Sequence, residues 1–217
     1  MNLSPLLRFR GLLPYEPTWR EMQLLTDERG PHTCDEIWFL EHPPVFTLGM
    51  NASIEHVLDA GDIPLQRIDR GGQVTYHGPG QLGVYPLLDL KRLGLGVRPL
   101  VSALEGAIID YLAGAGVGAQ ARREAPGVYV VERKIASVGL RIRRGACYHG
   151  LAFNVNNDLS PFGRINVCGH RGLQVTRLAD LGVRDDVGEV SRRLAPLLLA
   201  RLGYSAISTS SQAVSSR

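Results

Sequence analysis

Cys168 lies in the run Arg164-Ile165-Asn166-Val167-Cys168-Gly169-His170, a polar, glycine-flanked segment outside any strong periodic pattern. That setting favours an exposed thiol, and a thiol becomes a nucleophile when a nearby cation stabilises its thiolate. A candidate cation is Lys134, which stands in Arg133-Lys134-Ile135-Ala136-Ser137-Val138-Gly139. Strand alternation puts it on the face of Ala136 and Val138, and a lysine desolvated there can act as a base. A strand lysine more commonly lays its stem along the sheet and keeps its ammonium in water, and a lone cysteine is more commonly an inert core residue. A third stretch, Arg70-Gly71-Gly72-Gln73-Val74-Thr75-Tyr76-His77-Gly78-Pro79-Gly80-Gln81-Leu82-Gly83-Val84-Tyr85, sets polar groups beside backbone stripped of side chains. A plain turn needs fewer residues, whereas glycines in such numbers let a ligand approach the main chain closely.

Metal binding has two candidate pairs, Cys147-Tyr148-His149 and Cys168-Gly169-His170. Paired ligands of structural zinc sites are usually separated by two to four residues, so a single spacer argues against zinc. Cys34 has no assigned role.

The elements that must position these residues follow from periodicity. Leu6 to Leu13 reads as a strand, and Thr18-Trp19-Arg20-Glu21 reads as a capping box for a helix ending near Gly30. Asp35 to Glu41 is a strand stopped by His42-Pro43-Pro44, since proline has no backbone donor. Further strands are expected over Leu65–Asp69, Gln73–Tyr76, Leu82–Leu87, Gly127–Glu132, Lys134–Ile142 and Cys147–Val155. Leu100, Leu104, Ile108 and Leu112 mark a helix over Arg98–Leu112. A last helix starts at an Asp186-to-Glu189 capping box, with a kink expected at Pro196. Strands in runs with inserted helices, rather than strict alternation, predict an α+β fold with a mixed sheet flanked by helices.

A chain of 217 residues with 44% hydrophobic content fits a single domain, expected over residues 1–204, with a serine-rich tail over 205–217 expected to be flexible. The formal charge is +3, and arginines cluster at Arg122-Arg123 and Arg141-Ile142-Arg143-Arg144. Such runs are solvated faces or docking surfaces for acidic partners, because complementary charge speeds and orients encounter. No basic stripe with interleaved aromatics accompanies them, which argues against nucleic acid. Three cysteines make no disulfide framework and point to reduced thiols in a cytoplasm. Neither a signal-peptide pattern nor an apolar run of about 20 residues is present, so no membrane association is expected.

The three clusters together resemble the lipoyl(octanoyl) transferase family from about Leu12 to Gly182. Arg70–Tyr85 is similar to the family signature, His42-Pro43-Pro44-Val45-Phe46-Thr47-Leu48-Gly49 to an earlier segment, and Lys134 and Cys168 occupy the catalytic positions. Val167 and His170 depart from the proline and tyrosine usual beside the family cysteine. The resemblance implies the fold of biotin and lipoate protein ligase catalytic domains. It implies an acyl pocket lined by Arg70, Gly71, Gly72, Gln73, Val74, Thr75, Tyr76 and His77, by Ser137, Val138 and Gly139, and by Gly150, Leu151 and Ala152. His77 and His149 become candidate outer-layer groups. The implied reaction carries octanoate from octanoyl-acyl carrier protein, through a thioester on Cys168, to a lysine of lipoyl domains in 2-oxoacid dehydrogenase complexes and the glycine cleavage H protein. No cofactor is implied. An ATP-dependent lipoate or biotin ligase, or a non-catalytic acyl-binding module, are the alternatives.

Overall fold

The computed structural model describes residues 4–169 and 172–204, without the side chain of Cys168. His170 and the expected flexible tail over 205–217 lie outside the described residues. The strands are β1 (Leu6–Leu12), β2 (Glu36–Glu41), β3 (Val45–Leu48), β4 (Leu65–Arg67), β5 (Val74–His77), β6 (Gln81–Asp89), β7 (Gln120–Ala121), β8 (Gly127–Val130), β9 (Arg133–Arg143) and β10 (Ala146–Asn154). The helices are α1 (Tyr15–Asp27), α2 (Leu90–Leu93), α3 (Val97–Gly114) and α4 (Val187–Arg201).

Seven strands form one sheet in the order β1-β2-β6-β10-β9-β8-β7, and β4-β3-β5 form a second. The sheets are mixed: β1 runs parallel to β2 and β4 to β3, and the other pairs are antiparallel. Alternation along the central strands separates two cores. Ile37 and Phe39 of β2, and Leu82, Val84 and Leu88 of β6, pack under α3 and α4. Trp38, Leu40, Tyr85 and Leu87 face the opposite way and meet Tyr15, Trp19 and Met22 of α1. A third core joins Phe46, Leu48, Val74 and Tyr76 of the small sheet to Phe162, Ile165 and Val167. Val167 thereby anchors the short 3-10 turn Val167–Gly169 that carries Cys168.

Two local expectations need correction. The first helix starts at Tyr15 after Pro14, with no side-chain cap, and the Thr18 hydroxyl donates back to the Pro14 carbonyl at 2.8 Å. Thr18-to-Glu21 is therefore interior to α1. Helix α4 keeps its Asp186–Glu189 capping box but runs through Pro196 without a break. Pro196 and Arg192 are both exposed, so water can serve the carbonyl that loses its helical donor. Arg143 forms an ion pair with Asp27 at 2.9 Å, and Arg144 donates to the Asp27 carbonyl at 3.2 Å, so both arginines of the supposed docking run also tie the end of α1 to the sheet.

Candidate active site

A cavity opens on the α1 face of the large sheet, between β5, β9 and β10. Of the expected pocket residues, Arg70, Gly72, Gln73, Val74, Thr75 and His77 form one side, and Ser137, Val138, Gly139, Gly150, Leu151 and Ala152 form the other. Gly71 and Tyr76 stand off the cavity wall. The Gly71 amide donates to the Leu140 carbonyl at 2.9 Å, which docks the loop onto β9. Tyr76 alternates to the opposite face of β5 and packs with Phe46 and Phe162.

Three glycines, Gly72, Gly139 and Gly150, contribute bare main chain to the wall. A Cβ on Gly139 would lie 3.0 Å from the Gly71 carbonyl and 3.2 Å from Arg70 Cδ. One on Gly150 would lie 2.0 Å from the Val84 carbonyl and 2.7 Å from Pro86 Cδ. Any side chain at these positions displaces its surroundings or fills the cavity.

Behind the wall runs a buried polar relay. The Arg70 guanidinium donates to the Thr47 carbonyl at 2.8 Å and to its hydroxyl at 3.0 Å. Gln81 donates through its amide nitrogen to the Tyr76 carbonyl and to Asn154 Oδ1, which leaves its Oε1 to accept from His77 Nδ1 at 2.8 Å. His77 Nε2 is then an acceptor facing the Thr47 hydroxyl at 3.4 Å. Burial, with His42 and Arg70 nearby, drives the His77 pKa well below the ordinary histidine value. His42 donates from Nδ1 to the Leu13 carbonyl at 2.6 Å and accepts from the Tyr85 hydroxyl at Nε2 at 2.7 Å, and burial pushes its pKa down to about 4. The Tyr15 ring stacks on His77 at 5.2 Å and lies tilted against His42 at 4.7 Å, and the two imidazoles meet edge-on at 5.8 Å.

A second network centres on Asp69. It accepts from Trp19 Nε1 at 2.8 Å, Gln23 Nε2 at 3.2 Å, His149 Nε2 at 2.9 Å and the Tyr148 hydroxyl. Burial raises the carboxyl pKa, but donation from His149, Tyr148 and Trp19 outweighs it and holds the group well below the usual range. Burial keeps the His149 pKa low despite Asp69, so the contact is a neutral imidazole donating to a carboxylate. Two successive strand residues reach one acceptor because His149 has φ +57° and breaks the alternation. The β6–β10 ladder is interrupted there, between Cys147–Leu88 and Leu151–Val84, where Pro86 brings no donor.

Lys134 is 1% exposed, so its ammonium does not reach for water along the sheet edge. Its Nζ donates to the Pro126 carbonyl at 2.9 Å and lies 5.4 Å from the centre of the Tyr129 ring. Its backbone accepts from Thr176 and donates to Gln174, so the chain just beyond Cys168 is added to β9 at the lysine itself. The cysteine turn abuts the cavity from the other direction: a Cβ on Gly169 would lie 3.3 Å from Gln73 Cγ. The fold thus brings the backbone of Cys168, the strand of Lys134 and the glycine-walled cavity to one place.

Tyr15 and Tyr85 line the cavity and Thr47 and Asp69 support it, and none of these was singled out from sequence. Thr47, Asp69 and Tyr85 carried a signal, because they stand within or beside the two segments that bear the resemblance. Tyr15 carried none, as an aromatic at a helix start reads as core. Among the described residues no cluster of three or more histidine, cysteine or acidic side chains is placed to hold a metal. No helix among them is long and apolar enough to cross a membrane.

The family model for the lipoyl protein ligase A/B catalytic domain matches residues 14–197. An octanoyltransferase from Alkalilimnicola ehrlichii is 62% identical over 187 residues, 84% of this chain and 87% of the relative. One from Methylococcus capsulatus is 58% identical over 198 residues, covering 91% and 96%. Among solved structures, lipoate-protein ligase A bound with ATP superposes with a TM-score of 0.72 at 20% identity, covering 93% of this chain and 87% of that one, a likeness of fold. The chain belongs to the lipoyl protein ligase A/B catalytic-domain family, among its octanoyltransferases.

Proposed function

We propose that this protein takes an octanoyl group from the thioester of an acyl carrier protein onto Cys168 and delivers it to a lysine amine of a lipoyl domain. The observation that carries this reading is the convergence of the Cys168 turn and the Lys134 strand on one cavity, whose wall includes the bare backbone of Gly72, Gly139 and Gly150. In the first step the Cys168 thiolate attacks the acyl carbon, and the bond to the carrier sulfur breaks. One thioester replaces another, so this exchange is near balance. In the second step the acceptor amine attacks the acyl-enzyme, the new C–N bond forms and the Cys168 sulfur leaves. Lys134 receives the proton that the amine must lose. An amide is more stable than a thioester, so delivery runs downhill without further activation. The free thiols of Cys34 and Cys147 suit a reducing cytoplasm as the place of work.

The fold likeness to an ATP-bound ligase supplies the competing reading, activation of a free acid as an adenylate. Incubating the protein with octanoyl-acyl carrier protein and no nucleotide, followed by intact-mass and peptide analysis, separates the two. The expected result is one octanoyl adduct on Cys168 that a lipoyl domain removes. Absence of that adduct, with transfer only from free octanoate and ATP, would favour the ligase.

A further inference from the structure

Glu105 is a buried carboxylate on α3, remote from the cavity wall, and makes no ion pair among the described residues. Its Oε1 accepts from the Gly127 amide at 2.7 Å. The carbonyl of that same peptide unit is Pro126 C=O, which accepts from Lys134 Nζ at 2.9 Å. In a trans peptide the N–H and C=O point in opposite directions, so one peptide plane stands between the carboxylate and the ammonium and bonds to both. A carboxylate pulling on the N–H pushes electron density towards the carbonyl and makes it a stronger acceptor for the lysine. The fit leaves no slack: Gly127 has φ +141°, and a Cβ there would lie 2.3 Å from the Ala136 carbonyl and 2.6 Å from Lys134 Cε.

An amide oxygen would satisfy the Gly127 N–H equally well. A buried carboxylate costs desolvation that a glutamine would avoid, and burial indeed raises the Glu105 pKa against the lowering effects of the Gly127 bond and of Lys134. Among the groups that face Lys134 are Glu105 from α3 and the Tyr129 ring from β8, with the Arg122 guanidinium stacked on it. Glu105 is the carboxylate among them.

We propose that Glu105 is a positioning residue for Lys134, acting through the Pro126–Gly127 peptide to fix where the ε-amine stands and how readily it releases a proton. This rests on the reading of Lys134 as the group that handles the acceptor's proton. The test compares wild type, Glu105→Gln and Glu105→Asp. Isotope-labelled lysine NMR follows the Lys134 resonance against pH, and single-turnover discharge of octanoyl-enzyme to a lipoyl domain is measured over the same range. Glu105→Gln keeps the acceptor and removes the charge. Its Lys134 resonance and its discharge profile should both move to lower pH by about half a unit or more, with KM for the acceptor unchanged. Glu105→Asp retains charge at shorter reach and should keep the wild-type midpoint with a slower discharge. A Lys134 titration that superimposes in wild type and Glu105→Gln overturns the proposal, and Glu105 is then only a cap for an amide. Lys134→Arg reports separately on the underlying reading: if it discharges at the wild-type rate, the assignment of Lys134 fails whatever the NMR shows.

Discussion

Three cysteines share this chain, and their surroundings differ enough to predict separate fates. Cys147 is fully buried, its thiol donates to the Pro86 carbonyl at 3.1 Å, and burial pushes its pKa up to about 12. It is chemically inert in the folded protein. Cys147→Ser and Cys34→Ser should retain most activity, whereas Cys168→Ser should fold normally and lose transfer by more than about a thousandfold, because a neutral alcohol is a far weaker nucleophile than a thiolate. Near-normal transfer by a folded Cys168→Ser variant would remove that residue from the mechanism. The roles proposed for Lys134 come apart in Lys134→Arg, since arginine keeps the charge but does not give up a proton in a protein. That variant should still accept an octanoyl group, and single-turnover mass analysis should show the acyl-enzyme persisting after a lipoyl domain is added. Both proposed residues are marked in the sequence by the segments around them. The burial of Lys134 is not, because it depends on Gln174–Thr176 returning to lie beside β9, a contact set by the fold beyond Cys168.

Among the elements, the central strands were the most legible, since valine, leucine and aromatic residues alternate between two cores along β2 and β6. What the sequence concealed is where local chemistry yields to tertiary context. Thr18 resembles a helix cap, yet α1 has already begun at Tyr15, which packs against the sheet and forms part of the cavity. The left-handed residue His149 is equally hidden, because a histidine in a strand gives no sign that its backbone reverses the alternation. The glycines offer a contrast within a single residue type. Gly150→Ala should lower stability by about 1–3 kcal/mol, since its Cβ would run into the Val84 carbonyl of the neighbouring strand. Gly114→Ala, at the end of α3 with nothing within 4 Å, should raise it by about 0.5–1 kcal/mol through helix propensity. Urea denaturation of the two variants checks both signs.

At the scale of the whole molecule, three neutral imidazoles around one cavity tie stability to pH. His42, His77 and His149 all have folded pKa values below their ordinary one, because burial disfavours the charged ring. The unfolded chain therefore binds protons that the folded one refuses, and stability is full above about pH 6.5 and falls as the pH drops towards the folded values, by up to about 1.4 kcal/mol per unit for each ring. Asp69, held below the carboxylate range, adds a further loss beneath about pH 4. Denaturant unfolding measured from pH 7 to pH 5 should show a steady decline, and a flat profile would mean the rings are not held neutral. Charge reversal at Arg143 and Arg144 bears on the same scale: it removes the ties to Asp27 and should cost no more than about 1 kcal/mol, as exposed ion pairs do. A loss of transfer to protein acceptors beyond that, absent with a small thioester and a free amine, would make the pair a docking surface as well. The glycine wall has a consequence for any attempt to retune this enzyme. Where the proposed acyl pocket is shaped by main chain, at Gly72, Gly139 and Gly150, its dimensions are inherited with the architecture and are not open to side-chain exchange. In the proposed acyl pocket, preference for a different acyl group would have to come from apolar side chains on the wall such as Val74, Val138, Leu151 and Ala152, or from moving a strand.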